Sequence, residues 1–289
     1  MIACGLPWRA GDNVVGLARE YPANVYPWMQ LKDFGVELRT VVERDGRFDL
    51  DELLSLIDSK TRVVAPSWVH WATGHRLDLA AVAERCRAVG ALLVVDVIQG
   101  LGALTLDVER MGIDACAAAT HKWLLGPEGL GVLYVSDRIL ERLRPARYGQ
   151  RTVRHQFEWG RLELEFNDGA KRFEPGSLPH AAIASLGAAL ELLAEIGGED
   201  VERRVLALAD LAARGLSGLG FQVVSSRRPE ERSAIVTAVH ARLDMAQVAN
   251  TLRERGVVTA ERLGRLRISP HAYNTEAEID RLLRELATL

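Results

Sequence analysis

The chain has 289 residues, 48% of them hydrophobic and 26% charged, with a formal net charge of −3, which is enough apolar material for a sizeable core. Its arginines are scattered and no apolar run reaches the roughly 20 residues that span a bilayer, so neither nucleic acid nor membrane is an expected partner. Cys4, Cys86 and Cys116 are odd in number and lack metal-ligand spacing, which supports neither a disulfide framework nor a metal site and fits a reducing cytoplasm.

In chain order, Met1 to Leu6 reads as the last turn of a helix closing at Gly5, and Trp8 to Asp12 as a turn into a strand at Asn13 to Leu17. Glu20 to Trp28 leaves that strand and enters a helix. Val36 to Val42 alternates as a strand, Asp49 to Ser59 forms an amphipathic helix opened by Asp49, and Thr61 to Pro66 is another strand. Asp78 caps a helix from Leu79 to Val89. The run Leu92-Leu93-Val94-Val95 is too short for a helix and stops at Asp96, the pattern of a buried parallel strand that carries a carboxylate to its C-terminal end. Open α/β sheets place their ligands at such ends.

A second short strand, Ala115 to Ala119, ends in Thr120-His121-Lys122, and a loop with Gly126, Pro127, Gly129 and Gly131 leads into a third at Val132 to Val135. The alternation of strands and helices predicts a mostly parallel sheet with helices on both faces. Ile139 to Leu143 is a helix. Residues 144–171 form a long polar connection dotted with aromatics, expected to cover the site, and His180 to Ile196 is a long helix. Beyond it the expected elements are a helix at Val201 to Leu216, strands at Phe221 to Val224 and Ala234 to Val239, and a helix at Met245 to Arg255. A strand at Leu266 to Ser269 and a final helix opened by a capping box at Thr275 to Glu278 follow. The division expected is a large domain, 1–196, and a smaller α+β domain, 197–289.

Asp96 and Lys122 stand 26 residues apart at the ends of neighbouring strands. That arrangement suits pyridoxal phosphate: the amine forms a Schiff base with the aldehyde, and the carboxylate keeps the ring nitrogen protonated so that the ring withdraws charge from a carbanion. Each residue alone has a plainer reading, a solvated surface Lys and a helix-capping Asp.

The wording DVIQGLGALTLDV followed by ATHKWLLGPEGLGVLYV resembles class V aminotransferases, the branch of fold-type I pyridoxal-phosphate enzymes that includes cysteine desulfurases, kynureninase and isopenicillin-N epimerase. The resemblance runs from Pro7 to the C-terminus and implies that family's seven-stranded type of sheet. It implies Lys122 as the Schiff-base lysine, Asp96 as partner of the ring nitrogen, Gln99 as donor to the phenolate oxygen, and Thr120 and His121 beside the cofactor. Tyr21 stands where the family stacks an aromatic or His on the ring. Trp71, in the loop Ser67 to Leu79, replaces the Asn that desulfurases carry and would wall the substrate pocket. Gly176 and Ser177, in Arg172-Phe173-Glu174-Pro175-Gly176-Ser177, match the pair that crosses a two-fold dimer interface to the neighbour's phosphate, so a homodimer is implied. Arg267, in the run Leu266 to Thr275, matches the family's fork for a substrate α-carboxylate.

Desulfurases need a nucleophilic Cys just ahead of that Arg, and Gly256 to Arg265 contains none. The resemblance therefore points to transamination or related Cα chemistry on a small amino acid, with desulfurase-like, lyase or epimerase activity as the alternative. It also implies a phosphate-gripping segment before Met1, so a shortened, weakly active or non-catalytic chain is a further expectation.

Overall fold

The computed structural model describes residues 1–289. Helix α1 (Ile2–Gly5) leads to strand β1 (Asn13–Leu17), whose five residues are all buried. Two 3-10 turns flank the short helix α2 (Tyr26–Met29), and strand β2 (Glu37–Val41) follows. Asp49 caps helix α3 (Leu50–Leu56) by accepting from the Glu52 N–H, and Asp78 caps α4 (Leu79–Val89) through the Ala81 N–H. Between these helices lies β3 (Thr61–Val64); after them come β4 (Leu92–Asp96), β5 (Ala115–Ala119) and β6 (Gly131–Val135).

These six strands form one sheet in the order β2-β1-β3-β4-β5-β6. All pairings are parallel except β5 with the edge strand β6. The mostly parallel architecture is as expected, with six strands where the family resemblance implies seven. Strand alternation splits the large domain's core in two: Leu93 and Val95 of β4 join one cluster with Leu53, Trp68 and Val82, while Leu92 and Val94 join the other with Val14, Trp28 and Ile139.

After α5 (Asp137–Leu140), residues 144–171 contain only a 3-10 turn at Gln150–Thr152, part of another at Gly169–Phe173, and an isolated bridge between Val153 and Phe166. Helix α6 (His180–Ile196) meets α7 (Gly198–Gly218) at an angle of 82°. The second sheet, β7 (Gln222–Val223), β8 (Val236–Val239), β10 (Arg265–Ile268) and β9 (Ala260–Arg262), runs in that order and is antiparallel. Helices α7, α8 (Met245–Glu254) and α9 (Glu276–Leu286) close its core. Helix α7 serves both cores: Val201, Val205 and Leu206 pack with the large domain, and Leu208 to Leu216 with the small one. No single helix is long and apolar enough to cross a membrane.

Candidate active site

Three elements converge on the site: the C-terminal ends of β4 and β5, and β10 of the small domain. Asp96 closes β4, and its Oδ1 accepts the Ile98 N–H at 2.9 Å; no protein donor bonds its other oxygen. Burial pushes the Asp96 carboxyl up, while the Ile98 N–H and the Lys122 ammonium pull it down. Lys122 lies in the first turn after β5, half-buried, with its Nζ 5.9 Å from the centre of the Tyr21 ring. Burial pushes its amine down, with Arg267 and Arg262 reinforcing that shift and Asp96 opposing it. A lysine that sheds its proton easily is a nucleophile.

Arg267 spans the two domains. Its Nη1 donates to the Trp71 carbonyl at 2.6 Å, its Nη2 to Gln99 Oε1 at 3.2 Å, and its Nε to Ser269 Oγ at 3.0 Å. Burial lowers it to about 10, with Arg262 adding to the effect. No carboxylate pairs with it, so its charge is left without a counter-charge in direct contact. Gln99 is itself buried, and its Nε2 donates to no protein group. It sits in the turn after β4, where Gly100 passes so close to the Trp68 ring that a Cβ would collide. Tyr21 meets Trp71 edge to face, their ring centres 5.9 Å apart, and the Trp71 Nε1 donates to the Arg19 carbonyl at 2.8 Å.

The structure thus brings together Lys122, Asp96, Gln99, Tyr21, Trp71 and Arg267. Thr120 departs from expectation as a cofactor contact. Its hydroxyl is fully buried and donates to the Pro127 carbonyl at 2.7 Å and the Leu130 carbonyl at 3.2 Å, so it fastens the glycine-rich loop and leaves no hydrogen for a phosphate. His121 is exposed beside Lys122, and Gly176 and Ser177 lie on the exposed turn before α6, with open space around Gly176.

Several contributors escape a reading of the sequence. Arg262 adds positive charge at Lys122 and Arg267. His271 stacks on Trp123 at 5.3 Å and its Nε2 lies 3.2 Å from the Trp123 carbonyl, which ties the 270–274 turn to the lysine loop. Glu20 and Ser67 form a buried pair next to Asp96. The only signal for Glu20 was an acid placed directly after a strand exit, ahead of the expected ring-stacking Tyr21.

A mostly parallel sheet with Asp and Lys at neighbouring strand ends, and an Arg with no carboxylate partner that reaches Gln99 and the field of Lys122 from the second sheet, defines a fold-type I pyridoxal-phosphate protein. The class-V aminotransferase family model matches residues 1–282, and the chain belongs to that family. A probable cysteine desulfurase of Pseudomonas putida is 34% identical over 263 residues, covering 89% of this chain and 63% of its own. An uncharacterised aminotransferase of Schizosaccharomyces pombe is 29% identical over 280 residues, covering 95% and 70%. Among solved structures, the cystine C–S lyase C-DES with its product cysteine persulfide superposes with a TM-score of 0.91 at 26% identity, over 99% of this chain and 77% of that one. The chain spans 63–76% of the length of the curated relatives it matches.

Pyridoxal 5′-phosphate is accordingly its cofactor, and the residues present fit the ring: an Asp96 oxygen with no protein partner, an unbonded Gln99 amide, a free amine at Lys122 and the Tyr21 face beside it.

Proposed function

We propose that the chain is a pyridoxal-phosphate-dependent enzyme acting at the Cα of a small amino acid, with transamination or related Cα chemistry as its reaction. The observation that carries this reading is Arg267: a largely buried guanidinium with no carboxylate partner, bonded to Gln99 and electrostatically coupled to Lys122. When bound, the cofactor supplies an electron sink for charge released at Cα. Asp96 holds a negative charge for the ring nitrogen, and Gln99 orients its amide with the help of Arg267. The guanidinium fork fixes the substrate carboxylate, which sets which Cα bond stands across the ring. The depressed Lys122 amine accepts and returns a proton at its Nζ.

C–S bond cleavage on a sulfur-containing amino acid is the second reading, favoured by the likeness to C-DES and to probable desulfurases. A persulfide route through Cys86, Cys116 or a thiol just ahead of Arg267 has no support. Gly256 to Arg265 holds no Cys, and burial pushes the Cys86 and Cys116 thiols up to about 12 and 11. Product analysis separates the readings: keto acid with amino-group transfer and no sulfur release supports the first, and sulfide or persulfide with either pyruvate and ammonia or alanine supports the second. In either case Arg267→Lys should raise KM for the amino acid roughly 10- to 100-fold, the loss of a charged bidentate bond of about 1.5–3 kcal/mol. It should leave the response to the corresponding amine without a carboxylate nearly unchanged. An equal loss for both compounds would remove the carboxylate role.

A homodimer is part of the proposal. Helix α6 is apolar on nearly every side, yet Leu186 is its only buried residue; Ile183, Leu190, Leu192 and Ile196 are exposed. Phe157, Trp159, Leu162 and Leu164 add a second exposed apolar stretch in the long connection. Surfaces of this kind are ordinarily covered by a partner, and Gly176 and Ser177 stand at the head of α6. A reducing compartment completes the proposal, with all three thiols free.

A further inference from the structure

A second buried carboxyl stands beside Asp96. Arg19 adopts a left-handed backbone with φ of +57°, and its carbonyl accepts from Trp71 Nε1 at 2.8 Å and lies 3.2 Å from His70 Nε2. This anchored turn sends the next side chain, Glu20, inward, where it is 6% exposed, and leaves Tyr21 at the face of the site. Both Glu20 oxygens accept from one residue, the Ser67 N–H at 2.6 Å and the Ser67 O–H at 2.6 Å. Ser67 is in turn the bridge partner of Asp96 in the sheet, fixed by the Asp96 N–H to the Pro66 carbonyl at 3.1 Å and the Trp68 N–H to the Asp96 carbonyl at 2.9 Å. Parallel register partners project their side chains to the same face, so Ser67 holds Glu20 next to Asp96.

The two carboxyls are unequally supported. Asp96 has the Ile98 N–H and the positive field of Lys122 to stabilise its charge. Glu20 has only Ser67 and the Tyr21 backbone as donors, and the one charge acting on it is the negative charge of Asp96. Arg19 lines the same 220 Å³ cavity but forms no bond to it. Burial pushes Glu20 up to about 7, with the Ser67 bonds opposing and Asp96 adding to the rise. When two neighbouring carboxyls cannot both ionise cheaply, the proton settles on the one with fewer charged partners.

We propose that Glu20 is a positioning residue for the ring-nitrogen carboxylate: clasped by Ser67, it carries the proton of the Glu20–Asp96 pair, so that Asp96 keeps the charge that faces the cofactor. The role given to Asp96 rests on the function proposed above. The proton sits on Glu20 Oε2, where the bond to Ser67 reverses so that Glu20 donates to the Ser67 Oγ while Oε1 keeps the Ser67 N–H; it exchanges with solvent, and no other covalent bond is made or broken.

The test is a carbon-13 NMR titration of glutamate side-chain carboxyls in the full chain, free of cofactor, with the Glu20 signal identified by its disappearance in Glu20→Gln. The expected result is a Glu20 midpoint near neutral pH. Asp96→Asn should lower the proton affinity of Glu20 about tenfold, the effect of removing one adjacent like charge, and Ser67→Ala should raise it by removing a bond to the charged form. A Glu20 signal that titrates in the ordinary carboxylate range overturns the proposal, as does one that ignores both substitutions. The two variants are read separately, so a folding failure of one leaves the other decisive. Because no cofactor is present, a failure of Lys122 to react with pyridoxal phosphate would count against the proposed function and leave this coupling standing.

Discussion

At the scale of single residues, the site collects groups that burial holds away from their ordinary charge balance. Glu20 has its carboxyl raised to about 7, so the native chain holds that proton more tightly than the unfolded one. Its stabilising contribution is complete below about pH 4.5 and is lost as pH rises through about 7. His70 and His75 act in the opposite sense. Burial lowers both to about 4, so their contribution is present above the ordinary histidine range and is lost as pH falls toward 4. The two effects overlap and partly offset one another. Glu20→Gln removes only the first, so its stability relative to the parent chain should grow by about 3 kcal/mol between pH 4.5 and 7.5, measured by urea unfolding across that range. A constant difference between the two proteins would show that Glu20 titrates alike in the folded and unfolded chains.

At the scale of elements, what could be read in advance follows the strength of local signals. The caps at Asp49, Asp78 and Thr275 announced three helix starts that the structure reproduces, because a side-chain acceptor for the second or third amide is a purely local device. Strands β4 and β5 were legible from short apolar runs, and with them Asp96 and Lys122. Strand β9 was not. It pairs with β10 around Leu263-Gly264, both at positive φ, and a leucine there does not advertise a hairpin as Asn-Gly would. The strand expected at Phe221 to Val224 shrinks to two residues, since it is an edge with a single partner. Glu20, Ser67 and Arg262 stayed hidden because their roles depend on three-dimensional neighbours, Glu20 and Ser67 on each other across 47 positions and Arg262 on Lys122 in a distant loop, and Thr120 was misjudged because its loop claims the hydroxyl. Helix α7 is the element on which the two domains depend jointly. Leu208, almost fully buried just after the crossover between cores, should cost about 2–5 kcal/mol when changed to Ala. Chemical denaturation would check this, and a loss under 1 kcal/mol would contradict the packing described.

At the scale of the whole molecule, the parallel sheet presents Asp96 and Lys122 at one end, and the small domain closes over them through Arg267. The two parts are further tied by Arg47 with Glu231, in the loop ahead of β8, and by Glu43 with Arg265 of β10 at 2.8 Å. The apolar flank of α6 makes a quantitative demand on assembly. The 31.8 kDa chain should sediment with twice its mass, and Ile183→Glu combined with Leu190→Glu, one face of α6 two turns apart, should shift it toward the monomer. A parent chain that remains monomeric at high micromolar concentration would remove the dimer from the account.

The central claim is that Lys122 is the amine that engages pyridoxal phosphate, with Asp96, Gln99 and Arg267 arranged around it. Borohydride reduction of the chain after addition of pyridoxal phosphate, followed by peptide mapping, tests it most directly. The account predicts one pyridoxyl group per chain, on Lys122, absent from Lys122→Ala. Label at another lysine, or none at all, would contradict it.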